Sequence, residues 1–170
     1  MKRFVFLLFI ILGQAAFAQD AISAARTNDV ALLAQLKSAG TDMNKKDGRG
    51  FTPLIIAVYN NSYEAALYLI EDGADVNAAD SSGNTALMGA AFKGYTNLAA
   101  LLVKNKANVN LANYNKAPAL IFAVTFGQTE IVKMLLAAGA DTTIKDAFGK
   151  TALDHARIQE NEEMIALLEQ

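Results

Sequence analysis

The sequence predicts an all-α repeat solenoid, about five stacked helix–turn–helix units including two caps. Three observations predict it: a fixed period, one apolar helical face per unit, and glycines at matching ends. The stretch Asp47–Ala79 recurs after 33 residues as Asp80–Ala112, and again as Asn113–Lys145. Thr85-Ala86-Leu87 stands under Thr52-Pro53-Leu54, and Asn108-Val109-Asn110 stands under Asp75-Val76-Asn77. Shortened copies flank these three, Asp20–Lys46 at the start and Asp146–Gln170 at the end. A period of this length marks a chain whose units bury their apolar faces on one another.

In the first unit, Asp20 is placed to cap a helix over 21–27, and 30–38 makes the second helix. As a solenoid end, this unit is expected to leave Arg26, Gln35 and Lys37 in water. In the next unit Thr52 caps the first helix and Pro53 fits the position after it, where a missing N–H costs nothing. Ala57, Ala90, Ala123 and Ala156 share one register position, where a small side chain lets helices approach closely. The second helices carry larger apolar residues at helical spacing: Ala65, Leu69 and Ile70; Leu98, Leu101 and Leu102; Ile131, Val132 and Leu135. Gly40, Gly73 and Gly139 stand where those helices end in a left-handed residue. The last unit sets Glu160, Glu162, Glu163 and Glu169 beside Met164, Ile165, Leu167 and Leu168, an apolar half facing inward and an acidic half closing the stack.

With these residues laid out, the chain resembles the ankyrin repeat family from Asp20 to Gln170. Thr52-Pro53-Leu54 with Ala57, the Gly73-Ala74-Asp75-Val76-Asn77 tail and the 33-residue period agree together. The resemblance implies an L-shaped stack of helix pairs with β-hairpin or turn fingers on one side, in units 20–46, 47–79, 80–112, 113–145 and 146–170. One departure recurs: Ile55, Met88, Ile121 and Asp154 replace the family's usual histidine. Its hydrogen bond to the turn is therefore expected to be absent.

The junction between the units at 80–112 and 113–145 departs most. Lys106 replaces the helix-ending glycine, Lys116 the turn glycine, and Pro118 the threonine. Left-handed geometry mildly strains a residue with a Cβ. Two accounts stay open, tolerated drift or recruitment of Lys106, Tyr114, Asn115 and Lys116 to touch a partner.

Residues 1–18 read as a cleaved secretory signal peptide, with 19–170 the repeat domain. Lys2-Arg3, the apolar run Phe4–Leu12 and Ala16-Phe17-Ala18 before Gln19 supply its three parts. The apolar run is far short of the roughly 20 residues that span a bilayer, so no stable membrane anchor is expected. The whole chain carries 15 basic and 17 acidic residues. Loss of Lys2 and Arg3 leaves a mildly acidic protein without the footprint of a nucleic-acid binder. With no cysteine there is neither a disulfide framework nor a site for lipid attachment. The compartment expected is a bacterial periplasm.

Motifs of catalysis fail on inspection. Gly149-Lys150-Thr151 ends like a phosphate loop, but Ile144 stands where that loop needs glycine. Gly48-Arg49-Gly50 lacks the third glycine of a dinucleotide fingerprint. Asp75 and Asn77 resemble the start of a calcium loop, yet Ala79 takes the next ligand position. His155 is the only histidine, so no histidine pair can hold a metal, and a structural or solvent-exposed role is expected for it. No enzyme, no cofactor and no metal is expected.

Function in a solenoid falls to positions the fold does not use. In the family these are the finger tips and the exposed ends of the first helices, which line the concave side. Here they offer Arg49, Phe51, Tyr114, Asn115 and Phe148 on fingers, and Tyr59, Asn60, Phe92, Lys93 and Phe126 on helices. Tyr59, Phe92 and Phe126 are expected to form an aromatic ladder across three units. The expected function is a non-enzymatic periplasmic protein-binding module, most concretely an inhibitor or immunity protein occluding an exported enzyme such as a cell-wall hydrolase. The alternative is a scaffold or stability factor for a periplasmic stress-defence enzyme such as a catalase. The partner in either case is another exported protein, and the chain alone is expected to be a monomer.

Overall fold

The structure, a computed structural model, describes residues 20–169; the signal-like segment lies outside them. Among these residues ten helices alternate as five pairs: α1 (Ala21–Arg26) with α2 (Val30–Ser38), α3 (Pro53–Tyr59) with α4 (Tyr63–Glu71), and α5 (Ala86–Lys93) with α6 (Thr96–Lys104). The last two pairs are α7 (Ala119–Thr125) with α8 (Thr129–Ala137), and α9 (Ala152–Ile158) with α10 (Glu162–Leu168). The expected all-α repeat solenoid is the observed architecture.

Four of the five first helices start on a side-chain cap. Asp20, Thr52, Thr85 and Thr151 accept from the backbone N–H three residues on. Pro118 has no such group, and α7 begins without a side-chain cap. Between the paired helices a left-handed residue recurs every 33 positions: Asn28, Asn61, Gly94, Gly127 and Glu160. The N–H that follows each returns to the carbonyl of Ala24, Ala57, Ala90, Ala123 or Ala156, satisfying an orphan acceptor at the helix end. Those five alanines are wholly buried. A second left-handed position, Gly40, Gly73, Lys106 and Gly139, closes the second helices.

First helices of neighbouring units pack on one another far more extensively than second helices do. The stack therefore bends toward the first-helix row, which becomes its inner side. One continuous core runs along the stack through repeating columns, Leu54, Leu87 and Leu120 on the inner row and Leu69, Leu102 and Leu135 on the outer. Leu101 is also buried, as the register predicts.

The fingers are tight turns joined edge to edge. Asp47, Asp80, Asn113 and Asp146 each accept two backbone N–H groups from their own turn, two and four residues on. Single antiparallel bridges, Ala79 with Thr85 and Ala112 with Pro118, close two of the hairpins. Ser81, Tyr114 and Ala147 donate backbone N–H groups to the carbonyls of Arg49, Ser82 and Asn115, so every finger leans on the next. Below them Asn44, Asn77 and Asn110 accept from the N–H of Asp75, Asn108 and Asp141.

Arg26, Gln35 and Lys37 are exposed as expected, Lys37 while pairing with Asp72 of the following unit at 2.8 Å. One expectation needs correction. The histidine-to-turn bond is not missing everywhere: His155, one place after the usual position, meets the Asp146 carboxylate at 2.8 Å.

Candidate protein-binding face

The inner side is built from the finger tips and the last residues of α1, α3, α5, α7 and α9. These register positions are spared by the core, because the periodic leucines and alanines of the same helices already fill it. Phe92, Tyr114, Phe126, Phe148 and Ile158 are the large hydrophobic side chains left exposed among the described residues. All five stand on this side, and all belong to the units from residue 80 onward. Phe148 and Tyr114, 84% and 76% exposed, project from fingers. Below them Phe126 meets Phe92 edge to face, with ring centroids 4.6 Å apart. The Lys93 ammonium lies 5.4 Å from the centroid of the Phe92 ring, within cation–π range. Asn115 is exposed beside them, its carbonyl bound by the next finger.

Tyr59 does not extend that row. Its ring lies over Gly89 of the next first helix, so close that a Cβ there would stand 3.0 Å from Cε2. Phe51 meets the other side of Tyr59 edge to face at 6.0 Å, and the Arg49 guanidinium sits 4.9 Å from the Phe51 ring centroid. Burial pushes the Tyr59 phenol up from its ordinary value, and the Asp80 carboxylate adds to the shift. The expected ladder of three aromatics is a pair, Phe92 and Phe126, flanked by an inward-turned cluster. Asn60 is exposed, but its side chain donates to the Ile56 carbonyl and finishes α3. Thr125, the counterpart of Tyr59 and Phe92 in α7, turns its hydroxyl into the fold, with no partner among the described residues.

The N-terminal half of the same side is polar and cationic. Arg49 is exposed, and its nearest carboxylate is Asp47 at 3.8 Å. Burial would raise the Asp47 carboxyl, but the N–H groups of Phe51 and Arg49 outweigh it, and the charges of Arg49 and Arg26 lower it further. Ile158 is the exposed side chain that a search for aromatics passes over. Its register position, one period beyond Thr125, is the signal that finds it.

No cluster of three metal-ligating side chains occurs among the described residues. A pocket at the N-terminal end, lined by Asp20, Thr41 and Lys46 among others, lies apart from the aromatics. Among the described residues no helix is long and apolar enough to cross a membrane.

No curated protein matches the chain. Two family profiles do: one described as ankyrin repeats in three copies matches residues 21–113, and another described as ankyrin repeats in many copies matches residues 101–156. With the period, the helix pairs and the finger ladder, these matches place the chain in the ankyrin repeat family, whose members serve as protein–protein interaction modules.

Proposed function

We propose that the chain is exported to a bacterial periplasm and acts there, without catalysis of its own, by covering a surface of another exported protein. The observation that carries the reading is the one-sidedness of the exposed apolar residues, all five on the inner side and none on the outer helices. Contiguous exposed apolar surface on a folded domain tends to mark a partner site, and aromatics dominate the energetics of such sites. In its most concrete form the partner is an enzyme such as a cell-wall hydrolase, inhibited by occlusion. A curved face lined with projecting rings suits the rim of an active-site cleft.

Export is tested by fractionating cells and sequencing the recovered N-terminus. Recovery from the soluble periplasmic fraction starting at Gln19 supports the reading, and an intact Met1 in membranes overturns it. Binding is tested by co-purification from periplasmic extract with the unchanged protein and with Phe126→Ala. Inhibition is tested by adding the protein to the captured enzyme; unchanged turnover would leave binding without occlusion.

A further inference from the structure

The exposed charges of the inner side are mostly cations. Among the described residues, Arg26, Arg49, Lys93, Lys116 and Lys150 are exposed on finger tips or first-helix ends. None of the five has a carboxylate closer than the 3.8 Å between Arg49 and Asp47. The carboxylates on that side are engaged by the fold itself. Asp47, Asp80 and Asp146 close turns, while Asp20 and Asp154 cap or close helix starts. Of the exposed glutamates, Glu64, Glu71, Glu130, Glu162 and Glu163 stand on the second helices beside Lys37, Lys104 and Lys133, while Glu160 lies in the turn after α9. A chain of formal charge −2 thus sets exposed cations at the surface of its inner face, over carboxylates that the fold itself holds by hydrogen bonds.

We propose that the inner face takes an acidic segment of a partner polypeptide carrying apolar side chains among its carboxylates. This rests on the reading of that face as the partner surface and adds the chemistry of what it holds. Two features point to carboxylate with apolar content. The cations stand beside rings, Arg49 against Phe51 and Lys93 against Phe92, at 4.9 and 5.4 Å. Stacking on a ring holds a long side chain in place, which lowers the ordering cost of forming an ion pair. The Phe92–Phe126 pair lies between Arg49 and Lys150 along the stack, so carboxylates and an apolar group can be held at once. Complementary charge also speeds encounter and disfavours wrong partners.

The test is fluorescence anisotropy with the whole purified protein and three labelled dodecapeptides of one design. Each carries two phenylalanines among glutamates, glutamines or lysines. The glutamate peptide should bind at least about tenfold more tightly than the glutamine peptide, and its affinity should fall with added salt. The double variant Arg49→Glu with Lys93→Glu should remove that preference while leaving the thermal midpoint unchanged. Equal binding of the glutamate and glutamine peptides, lost in Phe126→Ala, overturns the acidic partner but leaves the aromatic face intact. Preference for the lysine peptide, or binding only to phosphatidylglycerol vesicles or a DNA oligonucleotide, also overturns it. If no peptide binds and co-purification ignores Phe126→Ala, both this inference and the reading of the face fall.

Discussion

The imidazole Nε2 of His155 lies 2.8 Å from Oδ2 of Asp146, across the turn that opens the last unit. Burial alone would push the Asp146 carboxyl up. The N–H groups of Lys150 and Phe148 and the His155 ring outweigh it and hold the carboxyl below its ordinary 3.8. The unfolded chain then binds the proton more readily than the folded one. The contribution of Asp146 to stability is complete above that ordinary value and is lost as pH falls through 3.8 toward the folded value. Asp146→Asn should keep the turn, as Asn113 does in its own unit. Its melting temperature should therefore fall less between neutral pH and pH about 3 than that of the unchanged protein. Equal falls in calorimetry would show that the carboxylate charge is not what the fold uses.

Leu102 is wholly buried in the outer column between neighbouring pairs. Leu102→Ala should cost about 2–5 kcal/mol in urea denaturation, and Leu101→Ala, 7% exposed, should fall at the low end of that range. Because each unit leans only on its neighbours, the transition should also broaden as the halves of the stack uncouple. A loss below about 0.5 kcal/mol, the scale of surface changes, would refute the register.

Lys106 holds a φ of 67° at the end of α6, where three other units use glycine. Lys106→Gly relieves about 1–2 kcal/mol of left-handed strain, while glycine's freedom in the unfolded chain returns about 0.4–1 kcal/mol of it. The net should be a stabilisation of about 0.5–1 kcal/mol, read from chemical denaturation. The same variant separates drift from recruitment: unchanged partner affinity means drift, and weakened affinity means the lysine touches the partner.

Phe126 and Tyr59 should part company under truncation. Phe126→Ala removes a 46% exposed ring and should weaken partner binding by at least about 2 kcal/mol with little change in melting temperature. Tyr59→Ala opens a hole between Phe51 and Gly89 and should lower the melting temperature instead. Calorimetric titration and thermal melts on both variants decide it, and the opposite pattern would move the binding surface toward Lys106, Tyr114 and Lys116.

Much of this fold is legible in the sequence because its period repeats the same physical demands. Thr52, Ala57, Leu69 and Gly73 each recur with a partner one period away, and each sits where its chemistry requires. The left-handed turn between paired helices is also periodic, but Asn28, Asn61, Gly94, Gly127 and Glu160 differ in type, so no single residue marks it. The aromatic face is only half legible. Whether a ring at a first-helix end is free or tucked depends on what the next unit sets opposite it. Gly89, where α3, α7 and α9 carry Ile56, Phe122 and His155, makes room for Tyr59 and draws it inward. His155 shows the same dependence, reaching its turn from a position the family's pattern does not use.

The unequal packing of the two helix rows makes this molecule stiff along one edge and yielding along the other. The inner row, with its fingers hydrogen-bonded in series, behaves as a spine of nearly fixed length. The outer helices, packed less extensively from unit to unit, are the row expected to spread or close. Small rotations at successive junctions would then add, changing the width of the concave mouth while the spacing of its contacts stays the same.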